Sequence, residues 1–250
     1  MTASTYRARA VAFRVGTQLI HDRRFLVLSI VAPLVVVYLL KVFFESATTP
    51  LFNPAVFVVP VGAFIVHFIT YILCAIVLVR ERTAQTLSRM FVNGYQQPEI
   101  IGGYVMAYTT LATMQSLLVL TELQLLFDLG YDIGTWFLIY VVIWLLAIIS
   151  IALGIFLSNF ARNEGQVFPF IPLVIFPSVF VSGLIVPVSN MPDWAQVLSR
   201  ITPLYYANQT IQELIKPNGS LGDSLNTFLL LPVYAIVVLT LATLTLRELD

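Results

Sequence analysis

Few side chains in this sequence are equipped for chemistry, and none falls in a recognisable catalytic spacing. One carboxylate, Glu122, stands in the apolar stretch QSLLVLTELQLLFD. A carrier driven by protons or cations needs such an intramembrane group, usually with a partner. The other reading is a carboxylate near the end of its helix that simply reaches the outer interface. His67 and Tyr71 are one helical turn apart, a spacing that packing explains as well as function does. Cys74 is the single cysteine, so no internal disulfide can form, and the two histidines, His21 and His67, are too far apart to suggest a metal cluster. No G-x-x-x-x-G-K-[ST] phosphate loop, H-E-x-x-H or G-x-S-x-G occurs, which excludes nucleotide binding by a P-loop and gives no sign of hydrolytic machinery. No cofactor and no metal is expected in this chain, and its basic residues are too few and scattered for nucleic acid.

The elements that must position these residues are membrane helices. Hydrophobic residues make up 59% of the 250 and charged residues 10%, where soluble domains carry about 25% charged residues. Apolar runs of roughly 20 residues match a hydrocarbon core of about 30 Å. Alternating strands of barrel type are absent. The expected fold is an all-α integral membrane protein forming one domain over residues 1–250, with spans at 25–44, 54–79, 100–127, 135–157, 167–184 and 227–246. Arg7, Arg9, Arg14, Arg23, Arg24, Arg80, Arg82, Arg89, Arg162 and Arg247 fall on one side of these spans. The other side has Arg200 and Lys216, with Lys41 near the end of span one, and several acids. The positive-inside rule then puts both termini in the cytoplasm. The N-terminus reads as uncleaved, because its apolar run starts late and is longer than a signal-peptide core.

Residues 1–24 contain an amphipathic segment, with Arg7, Arg14, Gln18 and His21 on one face at 100° per residue. Such a basic helix is expected to lie in the membrane interface, its cations toward anionic lipid, a soluble cytoplasmic arm being the alternative. Two tripeptides, Asn208-Gln209-Thr210 and Asn218-Gly219-Ser220, match the glycosylation pattern on the expected outer side.

Polarity is concentrated in RERTAQTLSRMFVNGYQQPE, residues 80–99, between two apolar runs. Ala84, Leu87 and Phe91 share one helical side, with Met90 beside them. Glu81, Arg82, Gln85, Ser88 and Arg89 largely take the other faces, and Asn93-Gly94 supplies a stop. A short helix parallel to the membrane and a solvated loop both fit this pattern. The second unusual segment runs from Gln166 to Leu214. Pro169, Pro172 and Pro177 fall inside what should be one helix, each tending to kink it, and Gly183 and Pro187 break the run. Trp194, Val197, Leu198 and Ile201 then form a stripe, and Pro203 starts a further piece. Short helices dipping back into the outer leaflet are expected here, an ordinary outer loop being the alternative.

In these two segments the chain resembles the membrane subunits of type-2 ABC transporters, over nearly its whole length. RERTAQTLSRMFVNGYQQPEIIGGYVMAY is similar to a family segment that reads roughly E-R-E-x-G-T-L-E-x-L, followed by a turn and E-I-x-x-G-K. Glu81, Arg82, Thr86, Leu87, Glu99, Ile100 and Gly103 match, whereas Gln85 replaces the usual glycine and Tyr104 the lysine. SGLIVPVSNMPDWAQVLSRITPLYYANQTIQELI is similar to S-G-x-x-x-P-x-x-x-L-P-x-W followed by N-P-L-T-Y, through Ser182, Gly183, Pro187, Pro192, Trp194, Pro203, Leu204 and Tyr206. The resemblance implies a coupling helix between spans two and three that docks on a cytoplasmic ABC ATPase subunit, with Glu81, Arg82, Thr86, Leu87, Arg89, Met90 and Phe91 as its coupling residues. It also implies re-entrant outer helices carrying Trp194, Pro203 and Tyr206. Span five would line or gate the path, through Phe168, Phe170, Phe176, Phe180, Gly183 and Pro187. A second permease subunit, identical or not, would complete the pathway, and ATP and magnesium would be bound by the partner. A bacterial or archaeal cytoplasmic membrane and a hydrophobic or amphipathic cargo (drug, lipid or lipid-linked glycan) follow from the same resemblance. The rival readings are a carrier or channel independent of ATP and a structural or lipid-processing membrane protein.

Overall fold

The computed structural model describes residues 3–46, 54–217 and 219–246. Arg247 and Asn218, used in the charge and glycosylation readings, lie outside them. Ten α-helices follow in order: α1 (Ala3–His21), α2 (Arg23–Ser46), α3 (Pro54–Thr83), α4 (Thr86–Val92), α5 (Gln97–Phe127), α6 (Ile133–Ser158), α7 (Phe170–Val181), α8 (Asp193–Ser199), α9 (Pro203–Leu214) and α10 (Leu225–Thr245). Short 3₁₀ turns precede α7 (Glu164–Gln166) and α10 (Leu221–Ser224). Six stretches are long and apolar enough to cross a bilayer: α2, α3, α5, α6, and α7 and α10 each with its 3₁₀ turn. There is no strand among the described residues, so the protein is an all-α, multi-pass membrane protein.

Local sequence sets the helix ends. The polar QQPE that opens α5 is a reciprocal cap. The Gln96 side chain accepts the backbone N–H of Glu99, and the Glu99 carboxylate accepts that of Gln96 at 2.9 Å, with Pro98 in the first turn where no donor is needed. At the start of α6 the Asp132 carboxylate accepts the N–H groups of Gly134 and Thr135. Between α3 and α4, Gln85 takes a left-handed φ of 57° and so stops α3. This is the position at which the resembling family carries glycine, and the conformation explains that preference.

The core is a three-helix seam. In α3 and α6, His67 meets Ser150 and the backbone of Tyr71 meets Gly154, so the two run in the same direction. A Cβ on Gly154 would sit 2.8 Å from the Tyr71 carbonyl oxygen and 3.0 Å from the Ala75 nitrogen; only glycine allows this approach. α5 runs opposite to α3, with Gly62 against Leu123 and Thr70 bonded to Gln115 at 3.0 Å. α2 follows α5 along its length, from Phe25 against Tyr108 to Phe44 against Phe127. α2, α7 and α10 are the least enclosed spans and present their apolar side chains outward.

Two expectations are corrected. The prolines of span five do not all kink one helix. Pro169 precedes α7, Pro172 falls in its first turn, and only Pro177 is inside, because a first turn has donors to spare. α7 is thereby shortened to 12 residues, about 18 Å of helix, and the 3₁₀ turn before it completes the crossing. The second correction concerns α1, whose arginines were expected to face lipid. Its buried side is Val11, Val15 and Leu19, set on α5 so closely that a Cβ on Gly103 would meet the Val11 Cβ at 2.5 Å. Arg7 and Arg14 also turn inward, and Tyr6, Phe13 and Ile20 point outward.

Candidate functional site

The polar loop sits at the arginine-rich end, held there by arginines from above and beside it. Arg14 of α1 donates to the Glu81 carboxylate at 3.2 Å and to the Tyr104 hydroxyl at 2.7 Å. Burial alone would lower the Arg14 pKa, but Tyr104 and Glu81 outweigh it and hold the guanidinium above its usual value. Arg7 donates to the Gly94 carbonyl at 2.6 Å, lies 3.6 Å from Glu99 and stacks over the Tyr95 ring. Arg80 joins Asp22, at the end of α1, to Glu164 beyond α6. Arg82 donates to the carbonyls of Ser158 and Ala161 and to Asn159 Oδ1, closing the C-terminus of α6. Asn159 in turn donates to Ala242 and Thr245 of α10.

These contacts decide what each expected coupling residue does. Glu81 is only 4% exposed and is spent on Arg14, and Arg82 is spent on α6. Leu87 and Met90 are buried against the rest of the chain, with Phe91 half-buried beside them. Thr86, half-buried, lines a shallow pocket with Arg89, Met90, Asn93 and the α1 residues Ala10, Val11 and Arg14. Of the residues named from the sequence, Arg89 stays exposed. Sequence reasoning missed Val92, which is 83% exposed. With Gln85 and Arg89 it makes an i, i+4, i+7 stripe, a signal present in the sequence but overshadowed by the apolar face.

At the opposite end, Gly183 takes a left-handed φ of 84° and ends α7. Asn208 of α9 donates to the Ser182 carbonyl at 3.1 Å, closing that helix end. Asn208 is 2% exposed and so committed, which removes it as a glycosylation site. Tyr206 donates to Arg200, and Tyr234 of α10 donates to Ile201. Pro203 starts α9, and Trp194 stands outward on α8 at 69% exposure. Gly183 and Pro187 line a cavity of about 670 Å³ with Phe57, Gln196, Arg200 and Gln212. The four phenylalanines expected from span five do not join them. Phe168, Phe176 and Phe180 are exposed, and Phe170 packs against a small cluster around Ala75 and Val79.

The isolated candidates are accounted for as well. His67 Nδ1 lies 2.7 Å from Ser150 Oγ, and the Tyr71 hydroxyl faces the Phe170 carbonyl, so their polar atoms are directed to different helices. Glu122 is half-buried, with no ion-pair partner among the described residues.

The sequence profile of the ABC-2 type transporter family matches residues 7–215. The chain is 24% identical over 188 residues to the "Probable multidrug ABC transporter permease YbhR" of Escherichia coli K12, covering 75% of this chain and 50% of that protein. It is 24% identical over 177 residues to "ABC transporter G family member 20" of Dictyostelium discoideum, covering 69% of this chain and 24% of that protein. It is 22% identical over 160 residues to the "Linearmycin resistance permease protein LnrN" of Bacillus subtilis, covering 64% and 41%. The chain thus spans half or less of the length of these relatives. Matched over most of its length, with six membrane-length helices among the described residues and the polar loop between the second and third, the chain belongs to the ABC-2 type transporter family.

Proposed function

We propose that this permease is the membrane subunit of an ATP-driven exporter, with its arginine-rich end in the cytoplasm of a bacterium or archaeon. There α4 docks on a separate ABC ATPase subunit, which binds ATP and magnesium. The observation that carries this reading is the free stripe Gln85, Arg89 and Val92 on a loop whose other charges, Glu81, Arg82 and Glu99, tie it to α1, α6 and α5. A force applied to α4 therefore reaches several helices together. The chain contributes mechanical work and no catalytic group. A second permease subunit, identical or not, completes the path. The cargo is hydrophobic or amphipathic, a reading supported by the exposed aromatic side of α7 and by the names of the multidrug and linearmycin-resistance permeases.

The test is affinity purification of the tagged chain from native membranes in mild detergent, with quantitative mass spectrometry. A stoichiometric P-loop subunit is expected. It is expected to be lost on Arg89→Glu with Val92→Asp, two exposed changes, while the chain keeps its unfolding temperature. Recovery of the wild-type chain without such a subunit, under conditions that preserve a known ABC complex, would overturn the reading, as would retention of the subunit by the double variant.

A further inference from the structure

A second site lies on the outer flank of α1, away from α4. The helices α1, α2 and α5 enclose an apolar groove of about 480 Å³, lined by Phe13, Gly16, Ile20, Leu26, Met106 and Met114 among others. Its volume lies in the range of about 300–1,000 Å³ typical of small-ligand sites. Phe13 is 79% exposed, and Met106 and Met114 are each 47% exposed, so the groove opens outward instead of closing on itself. Two hydroxyls line it, and both are satisfied by their own helix: Thr17 donates to Phe13 and Thr110 to Met106. Nothing in the lining asks for a polar occupant.

The charge beside it does. The chain turns from α1 into α2 at Asp22, and Arg23 and Arg24 open α2 directly after it. Both are exposed and have no ion-pair or hydrogen-bond partner among the described residues. Their neighbours in the same end of the bundle are committed: Arg7 to Glu99, Arg14 to Glu81 and Arg80 to Asp22 and Glu164. Arg23 is three residues before Leu26, so it lies one turn from a groove wall on nearly the same side of α2. Beyond this level α2 and α5 run as apolar helices, so the arginines mark where the headgroup layer meets the acyl layer. An apolar slot with free cations at its mouth, at that depth, matches one kind of molecule.

We infer that this groove holds an anionic phospholipid of the leaflet at the arginine-rich end, with an acyl chain along Gly16, Leu26 and Met114 and its phosphate on Arg23 and Arg24. Gly16 is the floor of the slot: a Cβ there would meet nothing within 4 Å. A side chain added at this position starts in open space and grows into the groove.

The test uses the full chain in nanodiscs of phosphatidylcholine with a minor fraction of phosphatidylglycerol. After release into mild detergent, retained lipid is counted by native mass spectrometry. The wild-type chain is expected to keep a lipid enriched in phosphatidylglycerol over the bulk. Arg23→Ala with Arg24→Ala is expected to lower that enrichment about fivefold per arginine, with retention of phosphatidylcholine unchanged. Gly16→Phe is expected to abolish retention of both lipids at an unchanged unfolding temperature. Arg162→Ala, at an exposed arginine outside the groove, is expected to match wild type. Retained lipid in a folded Gly16→Phe chain would overturn the site, as would an undiminished phosphatidylglycerol preference in the double arginine variant or an equal loss in Arg162→Ala.

Discussion

At the arginine-rich end most long-range links carry a charge and reach from helix to helix, Arg14 to Glu81, Arg7 to Glu99, Arg80 to Asp22 and Glu164, with Asn159 to α10 a neutral exception. At the opposite end they are neutral and run from a side chain to a backbone carbonyl: Asn208 to Ser182, Tyr234 to Ile201, Gln212 to Val56. The first kind is strong and unforgiving, because an ion stripped of its partner in a buried place costs several kcal/mol. The second kind is weak and replaceable, since hydrogen bonds between membrane helices average about 0.6 kcal/mol. The difference suits the two ends to different tasks. One holds the polar loop rigid against its neighbours, and the other surrounds a cavity that can change shape at small energetic cost.

The comparison breaks first at Arg14. Arg14→Ala leaves Glu81 buried and unpaired and is expected to destabilise the chain by about 3 kcal/mol, the low end for a buried pair because Arg14 itself is partly exposed. The measurement is thermal unfolding in detergent, and Arg14→Leu combined with Glu81→Leu is expected to recover most of the loss. A single variant as stable as wild type would mean that the clamp carries no load. Next in size, Gln85→Gly is expected to gain about 1 kcal/mol by releasing the left-handed strain, without altering the loop. A loss of stability on the same substitution would show that the Gln85 side chain, not its backbone, matters. Asn208→Leu is expected to cost only about 0.6 kcal/mol, and a cost as large as that of Arg14→Ala would erase the contrast between the ends. The smallest effect concerns Asp132, whose pKa is held below the usual value by the Thr135 hydroxyl and by backbone N–H groups. A depressed carboxylate contributes stability above its unfolded pKa of about 3.9 and loses it as pH falls through the lower folded value. Asp132→Asn is expected to flatten that acid limb, unfolding slightly below wild type at neutral pH and together with it at low pH, as followed by a pH series of unfolding curves.

Much of this was legible from composition and spacing, and what escaped has identifiable causes. The six spans follow from apolar length, and the loop at 80–99 stands out by polarity alone. Periodicity groups Arg7, Arg14, Gln18 and His21 on one face of α1 toward lipid, whereas Arg7 and Arg14 turn inward and Gln18 and His21 stay exposed. Periodicity fixes angles around one helix axis, whereas the Arg14 partner Glu81 is 67 positions further along the chain. Glu81 and Arg82 match the family motif, yet the motif cannot say whether a charge faces a partner protein or the chain's own helix ends. Among the expected path residues, Gly183 and Pro187 line the cavity and the phenylalanines do not. The proline pattern of span five showed that the helix is broken, but Pro172 in a first turn is harmless, and only the position of the helix start reveals that.

The close approach of Gly154 to the Tyr71 backbone has a consequence for motion. With peptide groups in direct contact and no side chain between them, α3 and α6 have no layer across which to slip. They form a keel, and any cycle the permease runs must be accommodated by helices swinging about it. α2 and α7, which pack least on the rest of the bundle, are the members free to swing, whereas α10 is held to α6 through Asn159. Spin labels placed across the keel should report a single distance, while those from the keel to α7 should report at least two.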